Sequence, residues 1–390
     1  MKSRCASAFF LTCALAPVRQ ATWAAGPGTT AANFLKIPAG PRQVGMGDQG
    51  VSLAEDAFSF SHNPASLALL KYQEAAFMRT QWVEDVSQEY LAYVYPKLDL
   101  GSLGASMNLV QVGSFQGYDA SGAKAESVSA QDLLFSLAYA GRVWGAKNPR
   151  EGLGLSAGLS LKFLQERLEN NSASAYAGDV GLLCYFPFQG ASVKVGLAAQ
   201  NFGSKLTYYE NSGRLPQTLA FGLSGSGRIR GDPATLAVEM RKAVDNGVDL
   251  SVGGEYWIHP MLALRAGYRL EADLGPGVRA GIGLKIKIVQ FDYGIAPMGD
   301  FGIAHRAGIT IRFGAPVEKI HEPSVQNILV GKAIQRARFL VGEKKYLDAL
   351  LEVNRALELD PTQPEATQLL DQIQKILKQL QLQIEDSKKP

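Results

Sequence analysis

The sequence predicts an all-β transmembrane barrel of about 14 antiparallel strands, followed by a small α-helical region. Between Glu74 and Phe313, apolar residues alternate with polar residues or glycine in runs of about ten residues. This is the length that a strand needs to cross a bilayer. In addition, the chain starts with a secretory-type leader. Strands with one lipid-facing row must close into a barrel, because a bilayer offers no hydrogen-bond partners to free backbone groups.

The leader has the features of a signal peptide over residues 1–25. Lys2 and Arg4 form a basic start, an apolar stretch follows, and small residues near Ala24 suit a signal peptidase. The apolar stretch is too short to cross a bilayer as a helix. Its removal leaves Cys184 of the three cysteines, so no internal disulfide is expected. An exported barrel belongs in the outer membrane of a diderm bacterium, with outer-membrane lipid as its surroundings.

Charge excludes one class of partner. Loss of Lys2, Arg4 and Arg19 reduces the 39 basic residues to the number of acidic ones, 36. A neutral mature chain has no electrostatic reason to bind nucleic acid, and none is predicted as a partner.

The region 74–314 is predicted as the barrel. In the run before Leu270, Leu264 and Tyr268 fall on one face, whereas Arg265 and Arg269 fall on the other. The same parity places Glu239 and Arg279 on lumen rows. The candidate strands begin near Ala75, Ser87, Leu100, Leu133, Leu153, Tyr176, Ser192, Thr218, Ala234, Val248, Met261, Val278, Val289 and Ala304. The alternative, a soluble β-sandwich or propeller, explains the glycines inside strand-like runs less well.

The joints between these strands differ in length. Some are short, whereas three polar stretches, 113–129, 166–174 and 204–214, are predicted as long loops. Short turns at one end and long loops at the other are typical of outer-membrane barrels.

Catalytic patterns are not evident. His62, His259, His305 and His321 show no metal-ligand spacing, and no nucleophile elbow or phosphate loop occurs. The prediction is a protein that is not an enzyme and that has no cofactor and no metal site.

After Phe313 the pattern changes to a helix period, and residues 323–386 are predicted as a helical region. Ala337, Ala349, Ala356 and Pro361 resemble the small packing positions and the closing proline of one tetratricopeptide repeat. A single repeat shares no stacked core, so it should pack on the barrel, on itself or on a periplasmic or secreted protein partner.

Motifs at both ends of the barrel region resemble the PorV/PorQ family, whose fold is similar to that of FadL-type transporters. The N-terminal ones are Phe34–Arg42, Gly45-Met46-Gly47, Asp56-Ala57 and Asn63-Pro64-Ala65. The C-terminal ones run from Phe291-Asp292-Tyr293-Gly294 through His305-Arg306 to Phe313 and resemble the family's closing hairpin and assembly signal. Here Phe313 is internal, which departs from the family pattern.

The resemblance implies that residues 26–73 fold into the barrel as a hatch. The implied hatch or gating residues are Arg42, Gly45, Met46, Gly47, Asp56, Asn63, Pro64 and Ala65. Asn63 would bond to neighbouring backbone, and Arg42 and Asp56 would pair with lumen charges such as Glu239 or Arg265. Two interpretations stay open: these residues gate the lumen, or they only hold the plug in place.

Two functions follow from the resemblance. The first is a barrel that receives cargo or docks partners in protein secretion of the type IX kind, with the helical tail as a docking arm. The second is a FadL-like passive transporter of hydrophobic small molecules. Phe34, Leu35, Ile37, Val44 and Met46 would then line an entrance, but they could equally form the core of the plug. Basic residues on inward rows of the last strands argue against a wholly apolar lumen. A purely structural role is the third alternative.

Overall fold

The computed structural model describes residues 26–53, 56–82, 85–97, 101–118, 121–145, 152–169, 171–188, 190–270, 275–317, 325–360 and 363–386. The predicted signal peptide, His321 and Pro361 lie outside the described residues. The chain divides into two compact units, residues 1–318 and 319–390, and each is described by itself.

The first unit is a closed antiparallel barrel of fourteen strands, which confirms the predicted fold class. Neighbouring strands pair in chain order, and β1 closes the ring against β16. The barrel strands are β1 Gln73–Gln81, β2 Val86–Tyr95, β3 Ser102–Tyr118, β4 Lys124–Gly145, β5 Gly154–Leu168, β6 Asn171–Phe188, β7 Ala191–Gly203, β10 Thr218–Ile229, β11 Asp232–Ala243, β12 Val248–His259, β13 Leu262–Arg269, β14 Val278–Ile286, β15 Val289–Pro297 and β16 Ile303–Phe313. Two short strands, β8 Leu206–Tyr208 and β9 Asn211–Gly213, form a separate hairpin.

Burial alternates along these strands, with apolar side chains on the outside. Leu137, Leu161 and Leu236 expose 66%, 66% and 67% of their surface, although they are among the most apolar residues of the chain. An apolar row of this kind would be unfavourable in water but is required in lipid. The closed ring and its outer surface therefore belong to an outer-membrane barrel. Among the described residues, none of the helices combines the length and the apolar character needed to cross a bilayer.

The two ends of the barrel differ. We call the end where β1 begins and β16 ends the base, and the opposite end the mouth. Residues 113–129 and 166–174, predicted as loops, are largely strand, because β3 to β6 continue toward the mouth. Their polar composition suggested loops, but a ladder that continues beyond the bilayer tolerates polar side chains on both faces. The third predicted loop, 204–214, contains the β8–β9 hairpin.

The segment before β1 fills the lumen as a hatch. It contains the 3₁₀ helix Asn33–Lys36, the helix α1 Pro41–Gly45, and the 3₁₀ helices Ser59–Ser61 and Pro64–Leu69. α1 begins at a proline, which lacks the N–H that a first helical residue leaves unbonded. Phe58, Phe60 and Leu67 are fully buried in one core with the inward residues Met78 and Tyr90.

The hatch begins at the mouth rather than at the base. Ala31 N donates to Arg214 O at 2.8 Å, in the loop between β7 and β10. From the mouth the hatch descends through the lumen and enters β1 at the base.

The second unit contains α2 Val325–Gly342, α3 Tyr346–Leu359 and α4 Pro364–Asp386. Ala337, Ala349 and Ala356 are fully buried in its core, together with Val353 and Ile373. Small residues at these positions let the helices approach closely. This arrangement fits the predicted packing role of the three alanines.

Candidate functional site: the hatch and the mouth cavity

A ring of inward-facing glycines forms the wall against which the hatch lies. We call it the glycine belt. Gly196 pairs directly with Gly222, and Gly253 with Gly267, in the strand register. Its members are Gly104, Gly158, Gly181, Gly196, Gly222, Gly253, Gly267, Gly281, Gly294 and Gly308.

The belt brings two backbones into contact. A Cβ added at Gly253 would lie 2.0 Å from Met46 O, and one at Gly267 would lie 2.2 Å from Gly47 N. Three strands round the ring from β12, a Cβ at Gly196 in β7 would lie 2.2 Å from Val51 O. Real Cβ atoms do not approach other heavy atoms so closely, so these positions require glycine while the hatch is docked. The glycines inside strand-like runs thus mark the docking surface of the hatch.

A buried network of charges, which we call the base network, fixes α1 to the wall. Arg42 donates from Nε and Nη2 to the two carboxylate oxygens of Glu255, both at 2.9 Å. Glu255 also accepts from Arg265 Nε at 2.6 Å, and Arg265 Nη1 lies 2.7 Å from Asp292 Oδ1. All four side chains are at least nine-tenths buried. A bidentate carboxylate–guanidinium pair fixes orientation as well as charge.

Asp56 orders the next turn of the hatch. Its carboxylate accepts from Gln43 Nε2 at 2.9 Å and from the backbone N of Phe58 at 3.0 Å and of Ser59 at 3.1 Å. Arg42 Nη1 lies 3.8 Å from Asp56 Oδ2. The wall residue Glu74 completes this turn, because it accepts from Ala57 N at 2.9 Å.

Two further contacts hold the hatch between the walls. Glu239 Oε2 accepts from the backbone N of Gly50 and of Val51, each at 2.9 Å. Asn63 Nδ2 donates to Val51 O at 2.9 Å and to Leu182 O at 3.1 Å, while its Oδ1 accepts from Ala65 N. Asn63 thus caps the 3₁₀ helix that begins at Pro64 and joins the hatch to β6.

The N-terminal end of the hatch is tied to the mouth by Asp245. Its Oδ2 accepts from Lys36 Nζ at 2.5 Å and from Thr30 Oγ1 at 2.7 Å. Burial opposes the charge of Asp245, but the hydrogen bonds from Lys36 and Thr30 outweigh it and hold the pKa below the ordinary 3.8. The carboxylate is therefore ionised at neutral pH.

Above the belt, a cavity of about 220 Å³ remains at the mouth, and we call it the mouth cavity. Leu35, Ile37 and Trp82 contribute apolar side chains to its lining. Its charged lining residues are Lys36, Arg241, Arg269, Arg279 and Arg306 and the acidic Asp48, Glu239 and Asp249.

The structure places the sequence-derived candidates as follows. Arg42, Gly45, Met46, Gly47, Asp56, Asn63, Pro64 and Ala65 are all buried in the hatch, and Glu239, Arg265, Arg269 and Arg279 face the lumen. Of the expected pairing partners, Glu239 binds hatch backbone and Arg241 instead of Arg42 or Asp56. Arg265 meets Arg42 only through Glu255. Phe34, Val44 and Met46 are buried core rather than an entrance, whereas Leu35 and Ile37 reach the cavity.

The candidate residues of the closing strand β16 lie on different faces of the barrel wall. His305 faces outward with its Nδ1 2.6 Å from Tyr293 Oη, and Phe313 stacks on Tyr93 at the base. Arg306 faces inward, into the mouth cavity. Glu255 and Asp292 were missed as site residues; their inward parity is visible in the sequence, but their partners are not.

His62 makes the hatch sensitive to acid. The ring is buried, and its Nε2 lies 2.9 Å from Ala39 O. The charged residues that interact with it are Arg241, Glu239 and Asp56. Burial, and then the charge of Arg241, lowers the pKa of His62 below 6.5. The stability that depends on neutral His62 is therefore complete above pH 6.5 and falls as the pH drops toward the lowered pKa, by up to about 1.4 kcal/mol per unit.

We expect hydrogen exchange in residues 39–53 to speed up as the pH of detergent-solubilised protein falls from 7.5 to 5.5, after correction for the intrinsic pH dependence. His62→Gln should remove most of this change, whereas His259→Gln, at an exposed base turn, should leave it intact. An equal pH response in wild type and His62→Gln would contradict the assignment.

Comparison with known proteins places the chain in a family. The model of the uncharacterised protein family UPF0164 matches residues 11–213, more than half of the chain, so the protein belongs to that family. Among curated proteins, none matches the chain in sequence.

Solved structures of outer-membrane proteins resemble the barrel. The toluene transporter TbuX of Ralstonia pickettii is 13% identical with a TM-score of 0.48, over 71% of this chain and 98% of its own. A Pseudomonas aeruginosa FadL homologue is 12% identical with a TM-score of 0.40, over 71% and 98%. The Acinetobacter baumannii outer-membrane protein Omp33 is 9% identical with a TM-score of 0.37, over 63% and 100%.

Proposed function

We propose that this protein is a closed outer-membrane barrel that docks protein partners, in the manner of PorV/PorQ-type proteins in protein secretion. The observation that carries the proposal is the seat of the hatch: its backbone lies against glycines on opposite walls of the lumen. A movable gate would not need every wall to be shaped to its main chain. A permanent plug would need such a fit. A barrel with a permanent plug cannot pass molecules through its lumen, so it acts by binding partners at its two ends.

The base network supports a permanent plug. Arg42 of the hatch and Arg265 of the wall share Glu255, and all three are buried. Release of the hatch would expose or strand these charges, and breaking such a buried pair costs about 3–5 kcal/mol. The closed state is therefore strongly favoured without a partner.

The helical tail supplies a docking surface in this proposal. Its three helices bury a small-residue core, as a tetratricopeptide-like unit does, but Phe339, Leu347 and Leu351 remain 67% to 69% exposed. Large apolar side chains on the surface of a helical unit are typical of protein-binding faces. In this proposal the tail binds a periplasmic or secreted protein.

The test is mass spectrometry of the intact protein extracted from outer membranes in mild detergent. We expect a protein partner that is lost in Phe339→Asp and Leu347→Asp but retained in Gln335→Asp, an exposed polar position on α2. In planar bilayers the wild type should show no steady conductance. A stoichiometric apolar molecule with no protein partner would overturn the proposal.

The second candidate is passive transport of hydrophobic small molecules. The observation that favours it is the apolar part of the lining of the mouth cavity, which includes Leu35, Ile37 and Trp82. Uptake of a radiolabelled aromatic hydrocarbon by proteoliposomes, reduced in Ile37→Asp, would support this candidate. Because eight charged side chains also line the cavity and the belt below it is closed, we rank it second.

A further inference from the structure

Arg306 is a buried cation that makes no direct ion pair with any of the described residues, although Asp48 lies near enough to interact with its charge. Its side chain lines the mouth cavity and is 2% exposed. Its Nε is buried without a hydrogen-bond partner, and its guanidinium joins no ion pair within the described ranges. An uncompensated buried charge is costly, so natural structures pair such groups or bind a ligand to them.

Three other arginines inside the barrel have direct acidic partners. Arg42, Arg265 and Arg312 each donate to a carboxylate at 2.6 to 2.9 Å. These arginines belong to the contacts that hold the hatch and the base of the wall. Arg306 differs from them, because it has no carboxylate at hydrogen-bond distance and faces the mouth cavity.

The surroundings of Arg306 add further donors. Arg279 Nε lies 3.5 Å from Asp48 Oδ2 and has no hydrogen bond, and Trp82 Nε1 is likewise a buried donor without a partner. Asp48 is shared with Arg269, at 3.6 Å, while Arg269 Nε donates to Asp249 at 2.5 Å. Among the described residues of this wall, three arginines thus face two carboxylates, which leaves a single positive charge.

Elsewhere around the cavity the charges of the residues that the structure describes cancel. Lys36 binds Asp245 and Arg241 binds Glu239, the latter at 2.7 Å. The surplus charge is therefore confined to the wall that carries Arg279 and Arg306. A planar guanidinium matches the oxygens of a carboxylate or a phosphate.

We propose that the mouth cavity is a binding site for a small oxyanion, held by the guanidinium groups of Arg306 and Arg279. The ligand carries a carboxylate or phosphate group, and the cavity of about 220 Å³ leaves room for the rest of a small molecule beside it. The site lies at the mouth, away from the base network. It does not depend on whether the barrel docks a protein partner.

The direct test is calorimetric titration of the full chain in mild, non-ionic detergent with sodium phosphate and, separately, sodium acetate, at an ionic strength fixed with sodium chloride. Wild type should bind at least one of the two anions saturably. Arg306→Met should weaken that binding at least about tenfold, in line with a charge-assisted hydrogen bond. Arg228→Met should bind like wild type, because Arg228 is exposed at the base and donates only to Gly231 O.

The two anions separate the possible ligand sources. Binding of phosphate alone assigns the site to phosphorylated molecules, and binding of acetate alone assigns it to carboxylates. Absence of saturable binding for both, or equal binding by Arg306→Met and wild type, would overturn the proposal.

Heat stability without added anion gives an independent readout. If Arg306 is paired only when a ligand is bound, Arg306→Met removes an unpaired buried charge at nearly constant side-chain volume and raises the unfolding temperature. Added phosphate or acetate should raise it in wild type but not in the variant. A lower unfolding temperature in Arg306→Met, with no anion effect in wild type, would show a purely structural arginine and overturn the proposal. Arg306→Lys, which keeps the charge, should retain weaker anion binding even if the methionine variant does not assemble.

Discussion

Gly253→Ala is expected to release the middle of the hatch while the barrel still forms. The added methyl group would lie 2.0 Å from Met46 O and 2.6 Å from Met46 C, and both are backbone atoms that no side-chain rotation can move. Gly253 is in β12 with ordinary strand geometry, so alanine suits the wall itself. Overpacking of this kind costs about 1–3 kcal/mol or more. The hatch, rather than the hydrogen-bonded wall, should give way.

The measurement combines single-channel recording with limited proteolysis of the purified protein. Gly253→Ala should show ion conductance and cleavage within residues 40–53, neither of which wild type should show. Gly225→Ala is the matched control: Gly225 is also in a barrel strand, but no heavy atom lies within 4 Å of its added Cβ. A silent, protease-resistant Gly253→Ala would mean that the wall adapts and that the belt does not define the seat of the hatch.

Much of the barrel could be predicted from local pattern. The fourteen strands follow from alternation, since each lipid-facing row, such as that of Leu264 and Tyr268, must be apolar regardless of its neighbours. The prediction was wrong where that constraint ends. Beyond the bilayer, β3 and β4 carry polar residues on both faces, so residues 113–129 appear loop-like although most are paired.

The candidate site was only partly predictable, for a different reason. Parity places Arg265 and Glu255 in the lumen, but which inward charges meet depends on strand register and on where the hatch lies. Arg42 is 213 residues from Glu255, and no local pattern encodes that pair. Glycines inside strand-like runs are unusual in the sequence, but their common role becomes visible only in the structure, where ten of them form one ring around the hatch.

Glu255→Gln should loosen the hatch through charge rather than shape. Glutamine is nearly isosteric, but it leaves Arg42 and Arg265 buried with only a neutral acceptor between them. Removal of one member of a buried ion pair costs about 3–5 kcal/mol, because the remaining charge stays desolvated. We expect hydrogen exchange of residues 41–47 to accelerate about 100-fold or more, since each 1.4 kcal/mol corresponds to a factor of ten. Glu89→Gln, which breaks the exposed pair with Arg79, should leave this exchange unchanged.

Glu255 binds both Arg42 of the hatch and Arg265 of the wall, so double variants can separate its effect on the hatch from its effect on the wall. Arg42→Gln in the Glu255→Gln background removes the stranded hatch cation, so it should recover part of the lost protection. Arg265→Gln in the same background removes the wall cation but strands Asp292, which Arg265 Nη1 contacts at 2.7 Å. It should therefore fail to recover protection. Equal effects of the two double variants would mean that Glu255 stabilises the wall and the hatch without distinction. Unequal effects would identify the Arg42–Glu255 pair as the connection that keeps the plug in place.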